Sequence, residues 1–370
     1  MTILFIAPLP PPVNGQSLAS AVLLRQLEIS NDVVVVDLAK KRPVNRLAKL
    51  GRFLTVAGFF GQIWRARTHA DLIYLTVSES VLGNLKDMVA YLLCFGSLDK
   101  LVIHMHGGAN MTRLMSSEYP MLLRLNRFFL GRIKAAIVLG QSHTKIYRGS
   151  MPEERIRIVP NSAEDYLFVE PDHLSGKFGR GGPIEVLFLS NLLDGKGYKE
   201  LLDGFVALDE SFRIQMVLHF AGAFPSEDAE VRFMQKARQH ENVRYHGVVG
   251  GAAKKALFDR AHVFCLPTYY AFEGQPISIL EAYASGCVVV TTDHSGIRDI
   301  FTPEVNGFEV VKGVSESIRG VLQHIVQNRG SLHAIATHNR AEADERYRAS
   351  KYCSSVESIL LENTTATTVS

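Results

Sequence analysis

Cysteine is scarce and scattered. Cys94, Cys265, Cys287 and Cys353 each stand alone inside an apolar segment, and no C-x-x-C pair occurs. That spacing argues against a disulfide framework and against zinc; four buried free thiols in a reducing compartment are expected. Long hydrophobic runs are missing too. The uncharged apolar stretch Phe53–Trp64 is well short of the ~20 residues a bilayer-spanning helix needs. The opening MTILFIAPLPPP has neither a basic n-region nor a cleavage site, so it reads as a strand, not a signal peptide, and a cytoplasmic location is expected. No G-x-G-x-x-G follows that strand, which disfavours a dehydrogenase. No nucleic-acid-binding motif occurs either, and nucleic acid is not expected as a partner.

What is present suits a soluble enzyme. The 370 residues allow about two domains with sizeable cores. Short apolar runs alternate with longer amphipathic segments, the pattern of βα units on a mostly parallel sheet. Strands are predicted at Ile3–Ala7, Val33–Leu38, Leu72–Leu75, Leu101–His104 and Ala135–Leu139, with helices such as Gln16–Glu28 and Ser80–Phe95 between them. The glycine-rich Ser175–Pro183 reads as a linker. After it the pattern restarts, with strands at Glu185–Leu189, Met216–Ala221, Val243–His246, Val263–Pro267 and Val288–Thr292 and helices such as Tyr198–Leu208 and Glu227–Gln239. The expected fold class is therefore α/β, with two Rossmann-like, doubly wound parallel-sheet domains facing across a cleft. Residues 1–177 form the first, 178–345 the second, and 346–362 a C-terminal helix returning toward the first. Residues 363–370 are expected to be a flexible tail.

Charge divides unevenly. Residues 1–180 hold 22 Lys and Arg against 14 Asp and Glu, and the remainder 18 against 23, so the first half is suited to face something anionic. Eight of those cations lie between Lys40 and Ala70, with no acid among them, interleaved with Leu, Phe, Val and Trp64; Arg124–Lys134 repeats the pattern. Either an amphipathic face for an anionic bilayer surface, through residues 40–67 and 124–134, or a solvated helix packed on its own sheet would give it.

The second half carries FEGQPISILEAYASGCVVVTTDHSG, Phe272–Gly296. A strand over Val263–Pro267, a loop, and a helix with Pro276 at its first position would present free amides and a positive helix end. Gly274 leaves room for a phosphate. Glu273 and Glu281 would remain to accept bonds from hydroxyls. Phosphates beside sugar and ribose hydroxyls describe a nucleotide sugar.

Glu273-x7-Glu281, with the downstream SG and NGF steps, resembles the donor-site signature of retaining glycosyltransferases of family 4, enzymes of GT-B fold. The resemblance implies metal-independent hexosyl transfer, without a cofactor, from a nucleotide-diphosphate sugar, most often a UDP- or GDP-sugar. The acceptor it implies is a glycan or a lipid-linked precursor, at the cytoplasmic face of the inner membrane. It assigns the ribose to Glu281, the donor sugar to Glu273, and sugar and phosphate to Gly274, Gln275, Pro276 and Ile277. Lys196, in the glycine-flanked loop of FLSNLLDGKGYKELL, would offset charge on the departing diphosphate, or would simply be an exposed loop lysine. Asn191 stands where such enzymes usually have an arginine. In the first half, Gly15 and Gln16 of LPPPVNGQSLAS match the loop bordering the diphosphate, although a plain turn fits these residues equally. His106 of HMHGGAN matches a histidine beside the donor sugar, with His104 expected to point into the sheet and a bend to separate the two. Asn161 of IVPNSAE matches a Pro-Asn step of the family, or is a turn asparagine. Two other readings stay open: a non-catalytic nucleotide-sugar-binding partner, permitted by Asn191, and a nucleotide-sugar epimerase of the same architecture.

Overall fold

The computed structural model describes residues 1–11, 13–39, 58–179 and 181–362. Among these, two six-stranded sheets form, every pairing parallel. The first contains β1 (Thr2–Ala7), β2 (Asp32–Asp37), β3 (Leu72–Thr76), β4 (Leu101–His104), β5 (Ala135–Val138) and β6 (Ile156–Ile158), in the order β2-β1-β3-β4-β5-β6. The second contains β7 (Ile184–Leu189), β8 (Met216–Ala221), β9 (Val243–Tyr245), β10 (Val263–Leu266), β11 (Val288–Thr291) and β12 (Gly307–Glu309), in the order β12-β11-β10-β7-β8-β9. Central strands such as β3, β4, β10 and β11 are buried throughout, whereas β2, β6 and β9 alternate or are half-exposed. Helices cover both faces of a parallel sheet, so its inner strands read as unbroken apolar runs and only its edges show polar positions.

The chain folds as two compact units. One is Met1–Asn161 together with the segment from Ser350; the other is Ser162–Ala349. The division falls at Asn161, not in the glycine-rich segment. Pro171–Gly179 is helical and belongs to the second unit. Its Lys177 is buried and donates from Nζ to the carbonyls of Phe258 (3.1 Å) and Ser285 (2.9 Å), which fastens a segment that composition alone marks as loose. The C-terminal helix Ala349–Leu361 buries Tyr352, Cys353, Val356 and Leu360 in the cluster that holds Ile3, Phe5 and Leu23 of the first unit. Lys134 Nζ caps it through the Leu360 carbonyl at 2.8 Å. All four cysteines are buried and free. No helix of the described residues is long and apolar enough to cross a membrane.

Two short strands escape prediction. β6 and β12 have three residues each and lie at sheet edges, too short for a period to register. Residues 40–57 and 363–370, which carry most of the first basic stretch and the expected tail, lie outside the described residues.

Candidate functional site

In the second sheet the strand order reverses between β7 and β10. The loops leaving their carboxyl ends diverge there, the usual ligand position in a doubly wound sheet. The β7 loop runs Asn191–Gly197 and the β10 loop Pro267–Pro276, and close backbone packing joins them. Tyr269 N–H donates to the Gly195 carbonyl at 2.7 Å. Gly195 and Gly197 both have positive φ, 86° and 85°. A Cβ on Gly197 would stand 2.4 Å from the Pro267 carbonyl oxygen, so only glycine lets the loops meet this closely.

Between these glycines, Lys196 Nζ donates to Glu273 Oε2 at 2.7 Å, with both side chains largely buried. Thr268 Oγ1 donates to the same oxygen at 2.9 Å. The Tyr270 ring lies 4.8 Å from the ammonium. Sequence reasoning missed Thr268, because nothing in PTYY distinguishes a threonine that turns back onto a carboxylate. Behind the loop, Ser295 Oγ donates to the Glu273 carbonyl (2.6 Å) and Gly296 N–H to the Gly274 carbonyl (3.0 Å). Ser295 adopts φ 50°, unusual outside glycine. The SG step is thus a buttress that holds the glutamate loop from below.

The helix that follows spans Ile277–Ala284, and Pro276 is its N-cap, not its first residue, with extended φ/ψ of −64° and 116°. Gln275 is buried beside it. Glu281 is 2% exposed and meets a partner that sequence analysis did not anticipate. Lys254 Nζ donates to Glu281 Oε1 at 2.5 Å and to Glu164 Oε2 at 2.8 Å. Burial pushes the Glu281 carboxyl above its ordinary value, and Lys254 opposes the shift. For Lys254, burial works to lower the ammonium pKa, but the Glu281 and Glu164 carboxylates outweigh it and the net shift is upward. Asn191, at the start of the β7 loop, is exposed and accepts Leu193 N–H on its carbonyl (2.9 Å). Nearby Lys199 is committed to Asp194 at 2.5 Å.

The first unit gathers a separate group. Asn14 caps the helix Gly15–Leu27 through a reciprocal pair with Ser17, each bond 3.0 Å, so Gly15 and Gln16 are its opening residues, not a plain turn. At the end of β4, His104 is fully buried and its Nδ1 is bonded to the Tyr74 hydroxyl at 2.8 Å. Its ring stacks on His106 with centroids 4.0 Å apart. The bend at Gly107 and Gly108 therefore does not part the two rings. Burial lowers His106 to about 4, partly offset by the Asn161 side chain, so the imidazole is neutral at physiological pH and suited to a hydroxyl, not to a phosphate charge. Glu79, from the β3 loop, accepts Gly108 N–H at 2.9 Å, and a Cβ on Gly107 would collide with its carboxylate at 1.2 Å. That contact is what the glycine step provides for.

Comparison with known proteins points the same way. Residues 173–342 match the family model described as "Glycosyl transferases group 1". The uncharacterized glycosyltransferase MJ1607 of Methanocaldococcus jannaschii is 25% identical over 205 residues, covering 53% of this chain and 51% of that protein. The amylovoran biosynthesis glycosyltransferase AmsK of Erwinia amylovora is 28% identical over 97 residues, 25% of this chain and 24% of its own. The chain thus spans about a quarter to a half of the length of these curated relatives. Among solved structures, Anabaena HepE in complex with UDP and glucose superposes with a TM-score of 0.72 at 17% identity, covering 97% of this chain and 99% of that one. Such a likeness establishes two Rossmann-like units of the GT-B type. The chain therefore carries a glycosyl transferases group 1 domain at residues 173–342.

Proposed function

We propose that the protein is a retaining glycosyltransferase of family 4 type. It moves a hexose from a UDP- or GDP-sugar to a hydroxyl of a glycan or lipid-linked acceptor. The observation that carries this reading is the pairing of Lys196 with Glu273 at the reversal point of the second sheet, beside the N-terminus of the helix Ile277–Ala284. An ammonium and first-turn amides supply positive potential for a diphosphate, and the carboxylates supply acceptors for hydroxyls. The HepE structure, which holds UDP and glucose, supports a nucleotide-sugar donor.

In this mechanism the bond between the anomeric carbon and the diphosphate oxygen breaks. Lys196 and the backbone N–H groups of Gly274, Gln275 and Ile277 take up the charge that develops on the leaving oxygens. Glu273 faces the sugar, where its carboxylate stabilises positive charge at the anomeric carbon. The acceptor hydroxyl attacks from the face of departure and passes its proton to the departing diphosphate oxygen, so configuration is retained without a covalent protein intermediate. Neither a metal nor a cofactor has a role in these steps. Glu281 holds the ribose hydroxyls. In the first unit, the neutral His106 is a sugar contact, and Gly15, Gln16 and Asn161 are further donor contacts. A thermal-shift screen against UDP-, GDP- and dTDP-sugars tests donor binding, because a ligand of the folded state raises the midpoint according to RT ln(1 + [L]/Kd). A product of inverted anomeric configuration would rule out the mechanism.

The acceptor's membrane is approached, in this reading, through the first unit and from the cytoplasmic side. The helix Val81–Leu93 exposes Leu82, Leu85, Val89 and Leu92 on one stripe, and Pro120–Leu130 exposes Met121, Leu125 and Phe128 on another. Asn84 and Asn126 tie the two helices together (Nδ2–Oδ1 2.9 and 3.2 Å), and Phe95 stacks on Phe128. Arg124, Arg127 and Arg132 are exposed around the second stripe, and the sole acid on either helix, Asp87, is buried. An apolar face with cations and no exposed acid matches an anionic lipid surface, each Lys or Arg contributing about 1 kcal/mol. Co-sedimentation is expected with phosphatidylglycerol vesicles, is expected to fail with phosphatidylcholine alone, and is expected to weaken for Phe128→Ser. Equal recovery with both lipids would remove the electrostatic part of this assignment.

A further inference from the structure

Lys254 occupies a position where a lysine is costly. On the helix Gly251–Arg260 it shares the inward stripe with Leu257 and Phe258, and all three are buried. Its neighbour Lys255 makes an ordinary ion pair with Asp259, one turn on, at 2.8 Å. Burying an ammonium is expensive unless hydrogen-bonded anions surround it. Lys254 has two, Glu281 Oε1 at 2.5 Å and Glu164 Oε2 at 2.8 Å, and Tyr166 donates its hydroxyl to Glu164 Oε2 at 3.0 Å. These three groups, Lys254, Glu164 and Tyr166, are the charged and titratable neighbours of Glu281. Of the two carboxylates it bonds, Glu281 is the one buried with it, at 2% exposed, so a core lysine on a helix that otherwise packs by leucine and phenylalanine serves Glu281 above all.

We propose that Lys254 is a positioning residue that keeps Glu281 ionised and oriented, and through it sets the grip of the second unit on the two ribose hydroxyls of the donor. The inference rests on the reading that Glu281 holds the ribose. A carboxylate accepts from both hydroxyls, whereas a protonated carboxyl must use one oxygen as a donor. With the cation gone, burial and the neighbouring Glu164 carboxylate push the Glu281 carboxyl further up, unopposed. Nucleotide affinity then becomes pH-dependent. It is weak at low pH, where Glu281 is protonated, and recovers as the pH rises and the proton is lost.

The test compares UDP with 2′,3′-dideoxy-UDP, and GDP with its dideoxy analogue, by calorimetric titration at about pH 6 and about pH 8.5. The unmodified protein is expected to prefer the hydroxylated nucleotide by ~10- to 100-fold at both pH values, the range for hydrogen bonds to a charged group. Lys254→Met is expected to lose that preference at the lower pH and regain part of it at the higher. Glu164→Gln, which leaves Lys254 on Glu281, is expected to keep it. Thermal midpoints check folding, and Lys254→Gln, which retains a donor but no charge, reads the same pH dependence if the methionine variant does not fold. If the lysine variants keep the full preference at both pH values, the role assigned to Lys254 is wrong while the ribose reading stands. If the unmodified protein does not distinguish the two nucleotides, the ribose reading itself fails.

Discussion

Glu273→Gln is expected to lower transferase turnover by ~100- to 1000-fold, the range found when one preorganised electrostatic group is removed from a transition state. The substitution preserves shape and the bond from Thr268, which donates equally well to an amide oxygen. What it removes is charge. In the structure, Lys196 spends one donor on Glu273 Oε2, so a diphosphate competes with the carboxylate for the ammonium. Glutamine relaxes that competition. Affinity for UDP or GDP is therefore expected to hold or tighten while kcat falls, a split that a merely structural role for Glu273 would not produce. Steady-state kinetics beside nucleotide titration measures both. Near-normal turnover would take Glu273 out of the chemistry.

Gly197→Ala is expected to damage both stability and donor binding. The residue sits at φ 85°, where a side chain costs about 1–2 kcal/mol. Its new Cβ would also press on the Pro267 carbonyl carbon and oxygen, which belong to the backbone and cannot rotate aside. A fall in thermal midpoint on the order of 5–10 °C is expected, with weaker nucleotide affinity because the displaced β7 loop carries Lys196 away from the helix end where the diphosphate would lie. Gly247→Ala supplies the comparison. Gly247 has φ 68° but nothing within 4 Å of the added carbon, so it bears the backbone cost alone. Equal losses at the two positions would show that the close approach of the β7 and β10 loops is not what Gly197 protects.

Much of this architecture is legible in the residues alone. Val263–Leu266 and Val288–Thr291 are readable because a central parallel strand, buried on both faces, must be apolar at consecutive positions. Glu273, Gly274 and Glu281 are legible for a different reason: a strand-loop-helix junction and a fixed spacing survive in one dimension. Lys254, Thr268 and Ser295 are not. A lysine among lysines in GAAKKALFDR has the composition of a solvated helix face, and its burial is decided by a glutamate 27 positions away. Asn161 and Ser175–Pro183 show the same limit from another side. Glycine content suggests a linker at the latter, yet Lys177 anchors that helix through carbonyls 81 and 108 residues distant, and the units divide at Asn161.

By itself the sequence determined the class of the fold, the order of most strands along the chain, and the stretch where an anion and hydroxyls could be met together. These follow from local periodicity and from the geometry of a single turn. Only the tertiary structure decided which cation answers which acid: Lys196 with Glu273, and Lys254 with Glu281 and Glu164. Such pairings depend on distances across folded elements, and the cost of burying charge makes them obligatory once the fold brings the groups inside.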